Sequence, residues 1–411
     1  MDRIVEFLRS SRPDGPCLVI DLEIVRENYL AFARAMPDTR IFYAVKANPE
    51  PRILELLASL GSSFDCASVA EIDMALAAGA SPDRISFGNT IKKERDITAA
   101  SQRGVRLFAV DCEAEVEKIA RSAPGADVFC RILCDGVGAQ WPLSRKFGCE
   151  PSMAADVLER AHRLGLGARG LSFHVGSQQA NVDAWDGAIA ASARIFRECS
   201  ARGIGLDLLN LGGGFPARYL KDVPGVPNYA RAIGAALRRH FGNRIPSTII
   251  EPGRGMVGNA GVIKAEVVLV SRKSKSVGEP RWVYLDIGKF GGLAETMDEA
   301  IRYPIRTPRD GEAKEPCIIA GPTCDSADVL YERDPYPLPV SLAAGDEILI
   351  EGAGAYTTTY SSVGFNGFRP LKSYVIGSVA GTWMGPGCGV DSCGKAADND
   401  HGTVPRSGAF S

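Results

Sequence analysis

Lys46 lies at the end of an apolar run in FYAVKAN, where its ammonium would be partly desolvated and its pKa lowered, as an amine forming a Schiff base requires. Glu251 opens EPGR, three residues before Arg254. A carboxylate there could sit beside the ring nitrogen of pyridoxal phosphate, keep it protonated and strengthen the electron sink. Gly212, Gly213 and Gly214 directly follow LLNL, so their backbone amides can approach an anion closely, with Ser177 and Arg254 assisting at a phosphate. His174, in SFHVGSQ, could stack on such a ring, and Asp65 and Arg131 stand in two further strand-like runs. Plainer alternatives exist for each residue: a snorkelling lysine, a tight turn of glycines, a structural ion pair between Glu251 and Arg254, a satisfied core histidine. None of these gives a reason for the others, and as a set the residues favour a pyridoxal phosphate site.

The elements that must position them follow from the apolar pattern. Eight β-rich runs, at 41–46, 63–67, 85–88, 106–110, 127–133, 170–175, 206–211 and 248–251, alternate with segments of helical spacing, several closed by glycine. That alternation predicts a parallel sheet, and eight such strands close a TIM-like (β/α)8 barrel. Active sites of this architecture lie at the C-terminal ends of the strands, where every residue named above falls. After residue 258 the runs are strand-like with almost no helical periodicity, which predicts an all-β C-terminal domain over 259–376 behind a barrel at 21–258. The N-terminal segment, 1–20, contains a strand-like stretch able to join that β domain, and 377–411, rich in Gly, Ser and Asp, reads as a disordered tail.

Composition narrows the function. The 411 residues are 45% hydrophobic and 23% charged, as in a globular protein. Lys plus Arg (47) nearly balance Asp plus Glu (49), which argues against a nucleic-acid backbone or an anionic membrane as partner. Asp2, Arg3, Glu6 and Arg9 interrupt the start, so a signal peptide is not expected and the chain reads as cytoplasmic. No run approaches the roughly 18 apolar residues of a membrane span. Eleven scattered cysteines and four histidines without a paired motif give no expected metal site, and Cys66, Cys130 and Cys134 read as packing residues.

Six motifs in order, FYAVKAN, FDCAS, KFG, FHVGSQ, GGGFP and EPGR, resemble the fold-type III pyridoxal phosphate decarboxylases, the ornithine, lysine, arginine and diaminopimelate group, over roughly residues 15 to 376. GPTCDSADVL and GAGAYT are similar to the signatures of the ornithine decarboxylase branch. The resemblance implies that Lys46 binds the cofactor covalently, Glu251 pairs with the pyridine nitrogen, His174 stacks on the ring, and Asp65 and Arg131 lie beside them. It gives the phosphate to Ser177, Gly212, Gly213, Gly214, Gly253, Arg254 and Tyr356. It further implies a homodimer with shared active sites. There Cys324 and Asp325 reach the partner's site, the thiol to return a proton and the carboxylate to grip a distal amine, while Lys146 and Asp328 pair across the interface.

A thiol acid in CDSAD favours decarboxylation over racemisation, which would want a tyrosine opposite Lys46. Asp325 suits a distal cation better than the second carboxylate of diaminopimelate. Within GGLAETMDEAI, Glu295, Asp298 and Glu299 are further acids, with Asp298 or Glu299 expected to face the substrate's far end. Ornithine is the expected substrate, with lysine second, since one methylene is worth only about 1–3 kcal/mol of discrimination. Arginine and diaminopimelate decarboxylases, a racemase and a catalytically inactive regulatory relative are the remaining alternatives, the last disfavoured by the full set of cofactor residues.

Overall fold

The computed structural model describes residues 1–134, 136–141, 146–276 and 278–380. Strand β1 (Cys17–Asp21) follows a helix at Asp2–Ser11. The chain then lays down β2 (Thr39–Ala44), β3 (Ser63–Cys66), β4 (Ile85–Phe87), β5 (Leu107–Val110), β6 (Asp127–Arg131), β7 (Ala139–Trp141), β8 (Gly167–Ser172), β9 (Ser177–Gln179), β10 (Leu208–Asn210) and β11 (Ser247–Ile250). All but β1, β7 and β9 pair in parallel and close a barrel in the order β10-β11-β2-β3-β4-β5-β6-β8. β7 and β9 form a separate antiparallel pair.

Two-residue periodicity does the positioning. Phe42, Ala109, Phe129, Leu208 and Ile249 form one buried cluster, contributed by five strands, that plugs the barrel interior. Side chains two residues further along a strand share its face, so Ala44, Arg131, Asn210 and Glu251 follow Phe42, Phe129, Leu208 and Ile249 toward the mouth. Pairing of Ala44 with Asp65 brings Asp65 to the same level. The alternate set, such as Tyr43, Val128, Leu209 and Ile250, packs in the larger core beneath the helices. The helix after β3 starts at a capping box: Ser68 Oγ accepts from the Glu71 amide at 3.2 Å, and the Glu71 carboxylate accepts from the Ala67 amide at 2.6 Å. This fixes the turn immediately after Asp65.

The β domain comprises β12 (Gly261–Ser271), β13 (Arg281–Leu285), β14 (Ile305–Arg306), β15 (Lys314–Ala320), β16 (Val329–Pro339), β17 (Glu347–Glu351) and β18 (Lys372–Ile376). β1 lies antiparallel to β12 and parallel to β18, so the N-terminal segment is part of this sheet. The expected tail falls outside the described residues from 381 onward. Its start is anchored, because Arg52 donates to the carbonyls of Val375 and Gly377, and Arg26 donates to that of Ser378.

Candidate active site

β2 ends at Ala44, two residues short of the expected strand end, and Lys46 stands in a 3₁₀ turn, Val45–Ala47. A loop of the β domain staples that turn in place. Tyr356 N–H donates to the Ala47 carbonyl at 2.8 Å, Thr359 Oγ to the Lys46 carbonyl at 2.9 Å, and Asn48 Nδ2 to the Gly354 carbonyl at 2.9 Å. Tyr356 adopts a left-handed φ of 58°, uncommon for a bulky residue and found where surrounding structure enforces it.

A cavity of about 450 Å³ opens over the barrel mouth. Lys46, Asp65, Arg131, His174, Ser177, Gly214, Glu251, Gly253, Arg254 and Tyr356 line it, which brings together residues up to 310 positions apart in the chain. Gly212 and Gly213 stand just behind. A Cβ on Gly212 would lie 2.0 Å from the Phe173 carbonyl oxygen, and one on Gly213 would lie 2.7 Å from the Glu251 carbonyl oxygen and 3.2 Å from His174 Nε2. Gly253 is equally confined, with Ala47 Cβ at 3.0 Å and the Tyr356 hydroxyl at 3.1 Å from an added Cβ. These positions need glycine because backbone and neighbouring side chains meet there.

The electrostatics differ from the expectation for Lys46. Burial, the largest influence, pushes its ammonium down, but Asp65, Tyr356 and Glu251 together hold it above the ordinary lysine value. Desolvation is visible along the chain, whereas the counter-charges stand on other strands. Asp65 is raised by burial against the pull of Lys46. Glu251 is pushed up to about 7 by burial and by Asp65, while a hydrogen bond from Asn210 Nδ2 at 2.5 Å favours its charged form. His174 is held well below the ordinary histidine range by burial, then by Arg131 and Lys46. Its Nδ1 accepts from the Gly176 amide at 3.0 Å, which leaves the neutral ring its proton on Nε2.

Arg254 does not pair with Glu251. Its guanidinium is buried and forms a two-pronged ion pair with Glu295, at 2.7 and 2.5 Å, beside the Tyr219 hydroxyl at 2.8 Å and the Tyr356 ring at 5.0 Å. The edge turned to Ser177 is engaged only loosely, at 3.3 and 3.4 Å, and is where a phosphate oxygen would find donors. Glu295 thus reaches the cavity wall, whereas Asp298 and Glu299 do not. Both adopt left-handed φ angles, 53° and 57°, which turn the chain outward. Asp298 is exposed against Arg333, and Glu299 accepts the amides of Glu332, Arg333 and Asp334.

Cys324 and Asp325 do not line this cavity. Both sit on an exposed turn, where the Cys324 amide donates to Asn366 and Asp325 caps the Ala327 amide. Asp328, expected opposite a partner's Lys146, is buried and accepts from the Lys289 and Thr323 amides and the Thr323 hydroxyl of its own chain. Asn210, Tyr219, Phe147 and Tyr360 were not singled out from sequence. Phe147 carried a signal as part of KFG, and Asn210 as the polar residue interrupting LLNL before the glycines: its side chain holds both Glu251 and the Gly212 amide. Cys134, read as packing, is half-buried at the cavity wall.

The donor set fits pyridoxal phosphate. There is an amine opening into the cavity for its aldehyde carbon, a carboxyl for its ring nitrogen, a neutral imidazole for its face, and glycine amides with Ser177 and Arg254 for its phosphate. A family described as pyridoxal-dependent decarboxylase, pyridoxal binding domain, matches residues 22–258. The lysine/ornithine decarboxylase of Selenomonas ruminantium is 37% identical over 361 residues, which cover 87% of this chain and 89% of that one. The chloroplastic ornithine decarboxylase of Nicotiana glutinosa is 36% identical over 369 residues, 86% of this chain and 82% of that one. The solved lysine/ornithine decarboxylase of Vibrio vulnificus complexed with cadaverine has a TM-score of 0.81 at 30% identity, covering 92% and 99% of the two chains. The chain belongs to the pyridoxal-dependent decarboxylases, as an ornithine decarboxylase-like enzyme for basic amino acids with pyridoxal phosphate as its cofactor.

Proposed function

We propose that the enzyme converts L-ornithine to putrescine and carbon dioxide, with L-lysine as the second substrate. The observation that carries this reading is that each cation of the cavity wall faces an acid of its own chain, Arg254 against Glu295 and Lys46 and Arg131 beside Asp65 and Glu251, so none is left over for a second carboxylate. The S. ruminantium and V. vulnificus relatives, both called lysine/ornithine decarboxylases, keep lysine in second place.

Pyridoxal phosphate, when bound, supplies the electron sink for the carbon that loses carbon dioxide. Lys46 would hold it through Nζ and Glu251 would face the ring nitrogen. His174 would cover one face as a neutral ring, and the Ser177–Arg254 edge with the glycine amides would grip the phosphate. The partner's Cys324 would return the proton to the carbon that lost carbon dioxide, and the partner's Asp325 would hold the distal amine. The functional unit in this reading is a head-to-tail homodimer. Its function would be to supply a diamine to polyamine-forming reactions in the cytoplasm. Among the described residues no helix is long and apolar enough to cross a membrane.

The test is carbon dioxide release with L-ornithine, L-lysine, L-arginine and meso-diaminopimelate offered separately, with Lys46→Ala as the control. Ornithine is expected to lead lysine by ~10-fold in kcat/KM. Arginine or diaminopimelate as the best substrate would overturn the proposal, and so would no release by a protein that carries the cofactor.

A further inference from the structure

The decarboxylase chemistry makes no use of two thiols beneath the cavity wall. Cys130 lies in β6 directly before Arg131, and Cys149 follows the KFG segment. Their sulfurs are 3.6 Å apart, both as free thiols, and both lie against the Arg131 carbonyl, at 3.9 and 3.6 Å. Cys130 is wholly buried and Cys149 is 6% exposed, so a small solute reaches Cys149 first. The hydrogen bond the two thiols share lowers the pKa of Cys149, while that bond and then burial raise Cys130. The accessible sulfur is therefore the better nucleophile and the enclosed one is placed to resolve it.

The backbone around the pair is tied to the active site. Cys149 N–H donates to the Arg131 carbonyl at 3.0 Å, and Leu133 N–H donates to the Cys149 carbonyl at 2.8 Å. Between them, Phe147 packs 5.3 Å from the Arg131 guanidinium, and Arg131, Leu133 and Phe147 all line the cavity. β6 is paired on both edges, to β5 and β8, so the 146–149 segment is the side that can yield.

We propose that Cys130 and Cys149 form an oxidisable dithiol, at which a peroxide makes a disulfide that draws the 146–149 segment onto β6 and displaces the Phe147 wall. The Cys149 thiolate attacks one oxygen of hydrogen peroxide, the O–O bond breaks, and with one proton the first water leaves and Cys149 becomes a sulfenic acid. The Cys130 sulfur then attacks the Cys149 sulfur, the S–O bond breaks, and the departing hydroxide takes the Cys130 proton as the second water. Two thiols give up two electrons and one peroxide becomes two waters. Closing 3.6 Å to about 2.05 Å is a small movement, but it is applied at the residue holding Arg131 and Phe147 together.

The experiment treats the holoenzyme with stoichiometric hydrogen peroxide, maps peptides without reduction, and assays the same samples. A Cys130–Cys149 linked peptide is expected to accumulate in step with a several-fold loss of activity, and dithiothreitol should reverse both. Cys149→Ala is expected to keep its basal activity and lose most of its peroxide sensitivity, and Cys149→Ser serves the same purpose if the alanine variant folds poorly. Cys130→Ala should instead stop at a sulfenic acid that dimedone traps. Absence of the linked peptide, a Cys134–Cys149 link in its place, or equal inactivation of the Cys149 variants through the exposed Cys324 would each overturn the proposal.

Discussion

At the barrel mouth and on the turn at 323–328, the same residue types meet opposite surroundings. At the mouth Arg254, Glu295 and Asp65 are buried, Lys46 opens into the cavity, and each counters a charge of its own chain. On the turn, Cys324 and Asp325 are exposed, and beyond Asn366, which holds the Cys324 amide, lie the exposed apolar residues Val363, Phe365 and Phe368. One chain therefore completes the half of the site that would hold a cofactor. It presents the groups suited to returning a proton on a surface with an apolar border, the arrangement needed if a second copy is to receive them.

The sharpest way to break this contrast is to disable the two halves in different chains. Lys46→Ala and Cys324→Ala, purified separately, are expected to lose about 10³-fold and about 10²-fold of activity. Mixed and allowed to exchange subunits, they should recover about a quarter of the wild-type rate, because half the dimers pair unlike chains and each of those has one intact site of two. Exchange followed by a size or tag measurement, with no recovered activity, would place Cys324 outside the shared site and leave the exposed turn without a catalytic role.

A second test concerns the buried half. Glu251→Gln should lower kcat by about 10²-fold while the protein still binds the cofactor, since a neutral amide no longer stabilises a protonated ring nitrogen. Stability carries an independent signature. Burial and Asp65 raise the Glu251 carboxyl to about 7, so in the cofactor-free protein this group binds more protons folded than unfolded. Its contribution to stability is then lost as pH rises from about 4.5 to about 7. Thermal midpoints of cofactor-free protein should fall across that window more steeply in the wild type than in Glu251→Gln. Parallel curves would mean that Glu251 is not the titrating group.

The two halves were unequally legible in the sequence. Alternation of strand-sized apolar runs with helical segments gave the barrel, and the structure adds that the plug residues Phe42, Phe129 and Ile249 share a face with Ala44, Arg131 and Glu251. The identities of Lys46, His174, Glu251 and the glycines were readable at the ends of those runs. Their interactions were not. The raised pKa of Lys46 depends on Asp65 and Glu251, which only barrel closure brings near. The choice of Glu295 over Asp298 and Glu299 depends on two left-handed residues in a short turn, which neither β nor helical periodicity encodes. Asp328 was assigned to an interface by the resemblance alone, and nothing along the chain announces that the Lys289 amide, 39 positions earlier, meets its carboxylate.

The smallest expected effect comes from that residue and bears on how the exposed turn is held. The Asp328 carboxylate accepts the Lys289 amide with one oxygen and the Thr323 amide and hydroxyl with the other. A Cβ on Gly288 or Gly321 would lie 2.1 or 2.3 Å from those oxygens, so the site has no space for a shifted side chain. Asp328→Asn keeps the shape but turns an NH2 group toward an amide donor on one side or the other, a loss of about 1–3 kcal/mol. The thermal midpoint should fall by a few degrees, and kcat should fall with it because the turn carrying Cys324 loosens. Cofactor absorbance should stay unchanged, since the barrel mouth does not depend on Asp328. Loss of the cofactor signal in Asp328→Asn would show instead that the two regions are mechanically coupled within one chain, and the contrast between a self-sufficient mouth and a separately supported turn would fail.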